Sequence, residues 1–189
     1  MGSRLLALLV CLLWFSFHLG SCSAALTSRT QVFKSKCGVI SSNPRVCIHR
    51  QEAHTALSVA ATHVHRTARW MSRLFARQRM TKRERVAMGE CMDLFAGSVR
   101  AIRGALREMR LVKGSDESDI LTDINGDITE SMTDHVTCIE GFTELYIKGE
   151  LKDKVTSRLS VDDRLTDKAL DLVVRFACDI HPGDPFDCL

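Results

Sequence analysis

A long stretch of the chain contains no proline, and this restricts its fold more than any other feature does. Proline occurs only at Pro44, Pro182 and Pro185. Nothing between residues 45 and 181 therefore interrupts a helical ladder of backbone hydrogen bonds. The same stretch lacks clusters of β-branched and aromatic residues that alternate with a period of two, as strands would require. The sequence predicts an all-α fold.

Four segments of this stretch carry apolar residues at steps of three and four, which indicates one buried face on each of four helices. Thr81 is placed to cap the second helix, Gly114 and Ser115 separate the second from the third, and Gly149 separates the third from the fourth. Short connections make successive helices antiparallel, so we predict an up-down-up-down four-helix bundle. The predicted core faces are Ala53, Leu57, Ala60, Val64, Met71 and Leu74; Ala87, Cys91, Leu94, Phe95, Ile102, Leu106 and Met109; Leu121, Ile124, Ile128, Met132, Val136, Ile139, Phe142 and Leu145; and Leu151, Val155, Leu159, Leu165, Ala169, Leu172, Val173 and Phe176.

The first residues have the composition of a signal peptide. Arg4 precedes an apolar run from Leu5 to Phe17, and small residues follow it at Cys22–Ala25. The run is short for a bilayer span, so we predict removal of residues 1–24 and secretion to the extracellular space, with a retained anchor as the alternative. The remaining domain is expected at 25–178, including an N-terminal hairpin at 25–49, and a tail at 179–189.

Six cysteines remain after removal of the leader, and an even number in a secreted chain indicates disulfides. Spacing alone does not choose among the pairings of Cys37, Cys47, Cys91, Cys138, Cys178 and Cys188. A metal site is not expected, because the chain has no CxxC or HxxxH motif and His63 and His65 would lie on different sides of a helix. We predict neither a metal nor a cofactor.

The sequence offers no catalytic constellation. Its carboxylates fall on solvated helix faces, and it lacks a nucleophile elbow and a glycine-rich loop. Cysteines held in disulfides leave no thiolate, and a filled helical core leaves no catalytic cleft. We predict a binding protein with no catalytic residues.

Charge is segregated along the chain. Residues 45–85 hold ten Arg or Lys against two acids, whereas residues 116–147 hold nine acids and no Arg or Lys. This pattern allows three interpretations: charge complementarity between the helices of the bundle, an acidic surface for a protein partner, or a basic surface for a polyanion such as pectin. A polyanion would bind through Arg66, Arg69, Arg73 and Arg77, with Arg79, Lys82 and Arg83 nearby.

Three segments resemble the plant invertase and pectin methylesterase inhibitor family. Cys37 to Cys47 resembles its N-terminal hairpin, in which two cysteines flank a proline turn. Val86 to Ile102 resembles its pattern Ala-Leu-x-Asp-Cys-x-Glu-x-Tyr-x-x-Ala. Thr129 to Phe142 resembles the pattern Ser-Ala-Ala-Leu-Thr-x-x-x-Thr-Cys-x-Asp-Gly-Phe. The resemblance covers about residues 33 to 176, and the third segment is closer to the methylesterase inhibitor branch.

The resemblance implies disulfides Cys37–Cys47 and Cys91–Cys138. For the tail we predict a third disulfide between Cys178 and Cys188, with a free or intermolecularly paired Cys188 as the alternative. The resemblance also implies that the chain is a secreted inhibitor of pectin methylesterase, which covers the substrate cleft of the enzyme with one face of the bundle. An acid invertase is the alternative target, and a polyanion-binding wall or signalling protein is the alternative of another class; no nucleic acid partner is expected. The partner contacts expected from the resemblance are Asp93, Asp127, Glu130, Thr133, Asp134 and Thr137.

Two departures from the family pattern lie in the third segment and just before it. Asp127 stands where a Trp is frequent, and Glu130 and Ser131 replace two small residues, so the third helix is expected to be unusually acidic. His135 lies among the proposed contacts, and we hypothesise that its protonation tunes binding.

Overall fold

The computed structural model describes Cys37 and residues 43–112 and 118–181. Four long helices account for most of this part of the chain: α1 (Pro44–Arg77), α2 (Lys82–Glu108), α3 (Ser118–Glu144) and α4 (Glu150–Ile180). Residues 1–48 and 49–189 form two units. The predicted signal peptide, most of the hairpin at 25–49, the turn at Gly114 and Ser115, Cys188 and the tail beyond His181 lie outside the described residues.

The helices of the second unit run antiparallel to their neighbours. The Arg158 side chain of α4 donates to Thr67 Oγ1 of α1 at 3.1 Å, and the Lys152 ammonium donates to Thr143 Oγ1 across the α3–α4 pair at 2.9 Å. On the α1–α2 side, the Arg85 guanidinium lies 5.1 Å from the centre of the Phe75 ring. These contacts, with the α2–α3 disulfide described below, confirm the predicted up-down-up-down four-helix bundle.

The helix boundaries follow from local chemistry. The Thr81 hydroxyl accepts the Glu84 N–H at 3.3 Å while the Glu84 carboxylate accepts the Thr81 N–H at 2.7 Å. This capping box satisfies two backbone donors and confirms the predicted start of the second helix. α3 ends at Glu144, and two residues later Tyr146 has a left-handed φ of 53°. The following Ile147 N–H bonds back to the Phe142 carbonyl. Gly149, with a φ of 97°, separates α3 from α4 as predicted.

The core is apolar except for one layer near the middle of the bundle. The large buried side chains at either side of this layer include Leu57, Phe95, Phe142 and Phe176. Val136 is 46% exposed, so its prediction as a core residue is wrong. The layer itself is formed by six polar side chains with no exposed surface: Thr67, Ser98, Ser131, His135, Asp162 and Thr166.

Candidate functional site

α2 and α3 are joined by the buried disulfide Cys91–Cys138, whose Cα atoms lie 4.6 Å apart. The pairing implied by the resemblance is confirmed, as is Cys37–Cys47, with Cα atoms 5.6 Å apart. Cys178 is disulfide-bonded, but Cys188 lies outside the described residues, so the pairing of Cys178 with Cys188 stays a prediction.

The α2–α3 interface repeats a contact between a glycine and an acid. Each pair joins the two helices, and successive pairs lie seven residues apart along both: Glu90 with Gly141, Gly97 with Asp134, and Gly104 with Asp127. A Cβ added at Gly97 would lie 3.1 Å from Asp134 Oδ2. One added at Gly104 would overlap Asp127 Oδ2. The glycines therefore leave the space that the carboxylates of the facing helix occupy.

An acidic groove of about 560 Å³ follows this interface beside the disulfide. Its floor includes Ala87, Leu94 and Gly97. Its walls carry six carboxylates and no basic side chain: Glu90, Asp93, Glu130, Asp134, Glu140 and Glu144. We call this feature the acidic groove.

Two of the predicted contact residues carry carboxyl groups that the interface partly removes from water. Burial, with the nearby Glu130 charge, raises the pKa of Asp134, although Arg100 acts in the opposite direction. Burial and the charges of Glu108 and Glu130 raise the pKa of Asp127. Burial is the larger cause for both carboxyls and the neighbouring negative charges add to it, so both hold their protons more tightly than isolated carboxyls do.

The predicted contact residues lie on one side of the molecule, and four of them line the groove together. Asp93, Glu130, Asp134 and Thr137 are those four. Asp127 lies one heptad of α3 before Asp134, against Gly104. The Thr133 hydroxyl is exposed and donates to the Thr129 carbonyl at 3.0 Å, while Thr137 donates to the Thr133 carbonyl at 2.9 Å. Their role in binding a partner stays a prediction.

Sequence reasoning missed three acids of the groove, Glu90, Glu140 and Glu144. Only Glu90 belongs to the repeat of glycine and acid at seven-residue intervals, and Glu140 and Glu144 lie outside it. Sequence reasoning also missed Tyr146, which lies two residues beyond the end of α3 and is 82% exposed. Nothing in the sequence marks a tyrosine as the residue that takes a left-handed conformation.

Three side chains are hydrogen-bonded in the order nucleophile, base and acid: Ser98, His135 and Asp163. Ser98 Oγ lies 3.2 Å from His135 Nε2, and His135 Nδ1 lies 3.3 Å from Asp163 Oδ1. Ser98 also hydrogen-bonds Ser131 Oγ at 2.7 Å and has no exposed surface. A serine inside a filled bundle cannot reach a substrate, and its helical neighbours offer no free N–H groups for an oxyanion. These contacts organise the polar layer.

His135 is an interior residue and cannot touch a partner directly; that its protonation tunes binding stays a hypothesis. It has no exposed surface and stacks against Phe95 with ring centres 4.9 Å apart. Burial lowers its pKa, although Asp162 and Asp163 act in the opposite direction. Any effect of its protonation therefore passes through the stability of the bundle.

The predicted basic residues lie on another side of the bundle. Arg66, Arg69, Arg73 and Arg77 are all exposed on α1. In the described part of the chain, none of the four forms an ion pair. The predicted basic surface is therefore present, and its ligand is a separate question.

The fold and the groove define a class of protein: a disulfide-linked helical bundle with an acidic groove on one face. Among residues 43–112 and 118–181, no group of His, Cys, Asp or Glu is arranged to hold a metal ion, and no helix is long and apolar enough to cross a membrane. Residues 20–172 match the family model of the plant invertase/pectin methylesterase inhibitors, and the chain belongs to this family. Members of the family are inhibitors, and the chain is an inhibitor rather than an enzyme.

Similar proteins agree with this membership. The "21 kDa protein" of Daucus carota is 25% identical over 171 residues, which cover 82% of this chain and 88% of the relative. "Pectinesterase inhibitor 11" of Arabidopsis thaliana is 25% identical over 173 residues, covering 82% of this chain and 85% of the relative. The crystal structure of a pectin methylesterase inhibitor from Arabidopsis thaliana superimposes with a TM-score of 0.55 at 14% identity, covering 76% of this chain and 94% of that one, and it shares the fold.

Proposed function

We propose that the chain is a secreted inhibitor of a pectin methylesterase and that it covers the substrate cleft of the enzyme with the α2–α3 face. The observation that supports this most directly is the acidic groove. It brings four of the six predicted contacts, Asp93, Glu130, Asp134 and Thr137, onto one surface. The relatives named as pectinesterase inhibitors support the choice of enzyme.

The chemistry of the groove suits such a target. A cleft that binds a polymer of uronic acid must offer hydrogen-bond donors and cations to carboxylates and hydroxyls. Carboxylates on rigid helices can meet those same donors, and charge-assisted hydrogen bonds are about twice as strong as neutral ones. The disulfide Cys91–Cys138 beside the groove holds α2 and α3 together, so little ordering is needed on binding.

The test is a titration of a plant-type pectin methylesterase with the oxidised chain, with an acid invertase assayed in parallel. The groove variant, Glu130→Gln with Asp134→Asn, removes two charges of the proposed interface. It is expected to inhibit the methylesterase about tenfold more weakly. The matched control is Asp167→Asn with Asp171→Asn, two exposed acids of α4, and it should leave inhibition within about twofold.

The outcomes separate the alternatives. Inhibition of the invertase instead of the methylesterase would identify the other target of the family. Inhibition of the methylesterase that is equally strong in the groove variant and the control would place the contact surface elsewhere. Inhibition of neither enzyme would overturn the proposed function.

A further inference from the structure

The outer side of α1 carries a stripe of arginines around a tryptophan. Arg66, Trp70, Arg73 and Arg77 follow one another at steps of four, three and four, so they share one side of the helix. The stripe spans about 16 Å at the helical rise of 1.5 Å per residue. The three arginines are exposed, Trp70 is half-buried, and within the described residues none of these guanidiniums has an acidic partner.

Trp70 also lies in a second groove, between α1 and α4, with a volume of about 770 Å³. Arg158 lies beside it and is anchored by its hydrogen bond to Thr67 Oγ1 at 3.1 Å. The other polar groups of this groove are Lys154, which pairs with Glu150 at 2.7 Å, together with Ser157 and Asp153. We call the stripe and this groove together the α1–α4 surface.

The three kinds of side chain on the α1–α4 surface suit one kind of ligand. Arginine binds carboxylates through two parallel N–H···O bonds. The indole of Trp70 offers a flat apolar face that can cover the C–H face of a sugar ring. Glu150 and Asp153 can accept hydrogen bonds from sugar hydroxyls. The ligand best matched is a polymer rich in both carboxylates and hydroxyls.

We infer that the α1–α4 surface binds an acidic polysaccharide of the polyuronate type. The choice of polyuronate rests on the proposed function, because a pectin methylesterase converts uronate esters into free carboxylates. The surface uses α1 and α4, whereas the acidic groove uses α2 and α3, and these helix pairs are opposite sides of the four-helix bundle. Polysaccharide and enzyme therefore do not compete for one site, and the inhibitor can be held on the polymer that its target enzyme has demethylated.

The experiment measures binding of the oxidised, secreted full chain to polygalacturonate and to highly methyl-esterified pectin by titration at several salt concentrations. The α1 variant is Arg66→Gln/Arg73→Gln/Arg77→Gln. Its matched control, Arg103→Gln/Arg107→Gln/Arg110→Gln, removes the same charge from exposed positions at the end of α2 and just beyond it. Trp70→Phe keeps an aromatic ring, and Trp70→Leu removes it, with circular dichroism used to verify that each variant is folded.

The expected result is binding to polygalacturonate that is much stronger than binding to esterified pectin. The α1 variant should lose about ten- to a hundredfold in affinity and show a shallower salt dependence, while the control loses about twofold. Trp70→Leu should weaken binding with little change in its salt dependence. Trp70→Phe should retain most of the binding affinity. Inhibition of the methylesterase on a small soluble ester should be unchanged in the α1 variant.

Several results would overturn the inference. One is equal loss in the α1 variant and the control, which would mean that net charge alone is responsible. Others are equal binding to esterified and demethylated polymer, no binding at low salt, or tighter binding to RNA or to anionic vesicles than to polygalacturonate. None of these bears on the proposed function, which the inhibition assay tests separately.

Discussion

The glycines of the α2–α3 interface allow a direct test of how the two helices pack against each other. Gly104 is buried within α2, and a Cβ added there would overlap Asp127 Oδ2 and lie 3.3 Å from Asp127 Cγ. Gly104→Ala therefore forces the Asp127 carboxyl to leave its position or the two helices to separate. The overlapping Oδ2 atom is the end of a rotatable side chain, so the side chain moves before the helices separate.

Two opposing effects set the size of the change in the free energy of unfolding. Replacing glycine by alanine within a helix stabilises a protein by about 0.5–1 kcal/mol, because the unfolded chain loses freedom. Overpacking a close interface costs about 1–3 kcal/mol. We expect Gly104→Ala to lower the free energy of unfolding by about 1–2 kcal/mol. In an Asp127→Ala background the overlap is gone, and the same substitution should stabilise the protein by about 0.5–1 kcal/mol.

The assay is urea unfolding followed by circular dichroism for the four proteins of this double-mutant cycle. Gly126→Ala on α3 is the control for the backbone effect, because nothing lies within 4 Å of its added Cβ. It should stabilise the protein by about 0.5–1 kcal/mol. If Gly104→Ala stabilises as much as Gly126→Ala while Asp127 is intact, the packing of glycine against carboxylate is not a constraint and the reasoning is wrong.

Two further predictions concern the buried interior. The variant Cys91→Ala/Cys138→Ala opens a loop that the disulfide closes across 47 residues. We expect its free energy of unfolding to fall by about 4 kcal/mol and its Tm, measured by calorimetry, to fall by about 8–15 °C. A fall in Tm within error of zero would contradict this prediction. Burial lowers the pKa of His135 from 6.5, so the unfolded state takes up the proton first and the free energy of unfolding falls as pH drops below that value. His135→Gln should make the free energy of unfolding depend less on pH, measured by urea unfolding at several pH values, and should leave the pH profile of enzyme inhibition unchanged. A pH dependence of unfolding as steep as that of the wild-type protein would refute this prediction.

The helices were predictable because proline and capping residues act locally. Thr81 and Gly149 mark helix starts through backbone chemistry that depends on neighbouring residues. The core face of α3 was only partly predictable. Apolar character assigned Val136 to the core, yet the buried positions Leu121, Ile124, Ile128, Ser131, His135, Cys138 and Phe142 follow alternating steps of three and four. This strict spacing, imposed by packing against neighbouring helices, places a polar His135 inside and an apolar Val136 outside.

The acidic groove was predictable in part for a related reason. The resemblance supplied the contacts on α3, where the motif is continuous in sequence. Glu90 joins them only because α2 runs antiparallel to α3, which places it opposite Gly141. A pattern within one helix carries no information about which residue of another helix lies across from it, and that pairing depends on the tertiary structure.

The buried polar layer has a consequence for how the chain acquires its disulfides in an oxidising compartment. Ser98 finds Ser131 and His135 only when α2 and α3 are aligned as in the native bundle. A slide by one heptad would place its hydroxyl level with Ile124 or Cys138, where it would lose these partners, and an unpaired buried hydroxyl costs about 1–3 kcal/mol. The same alignment brings Cys91 to Cys138. The hydrogen bonds of the layer therefore favour the helix alignment in which Cys91 and Cys138 can pair.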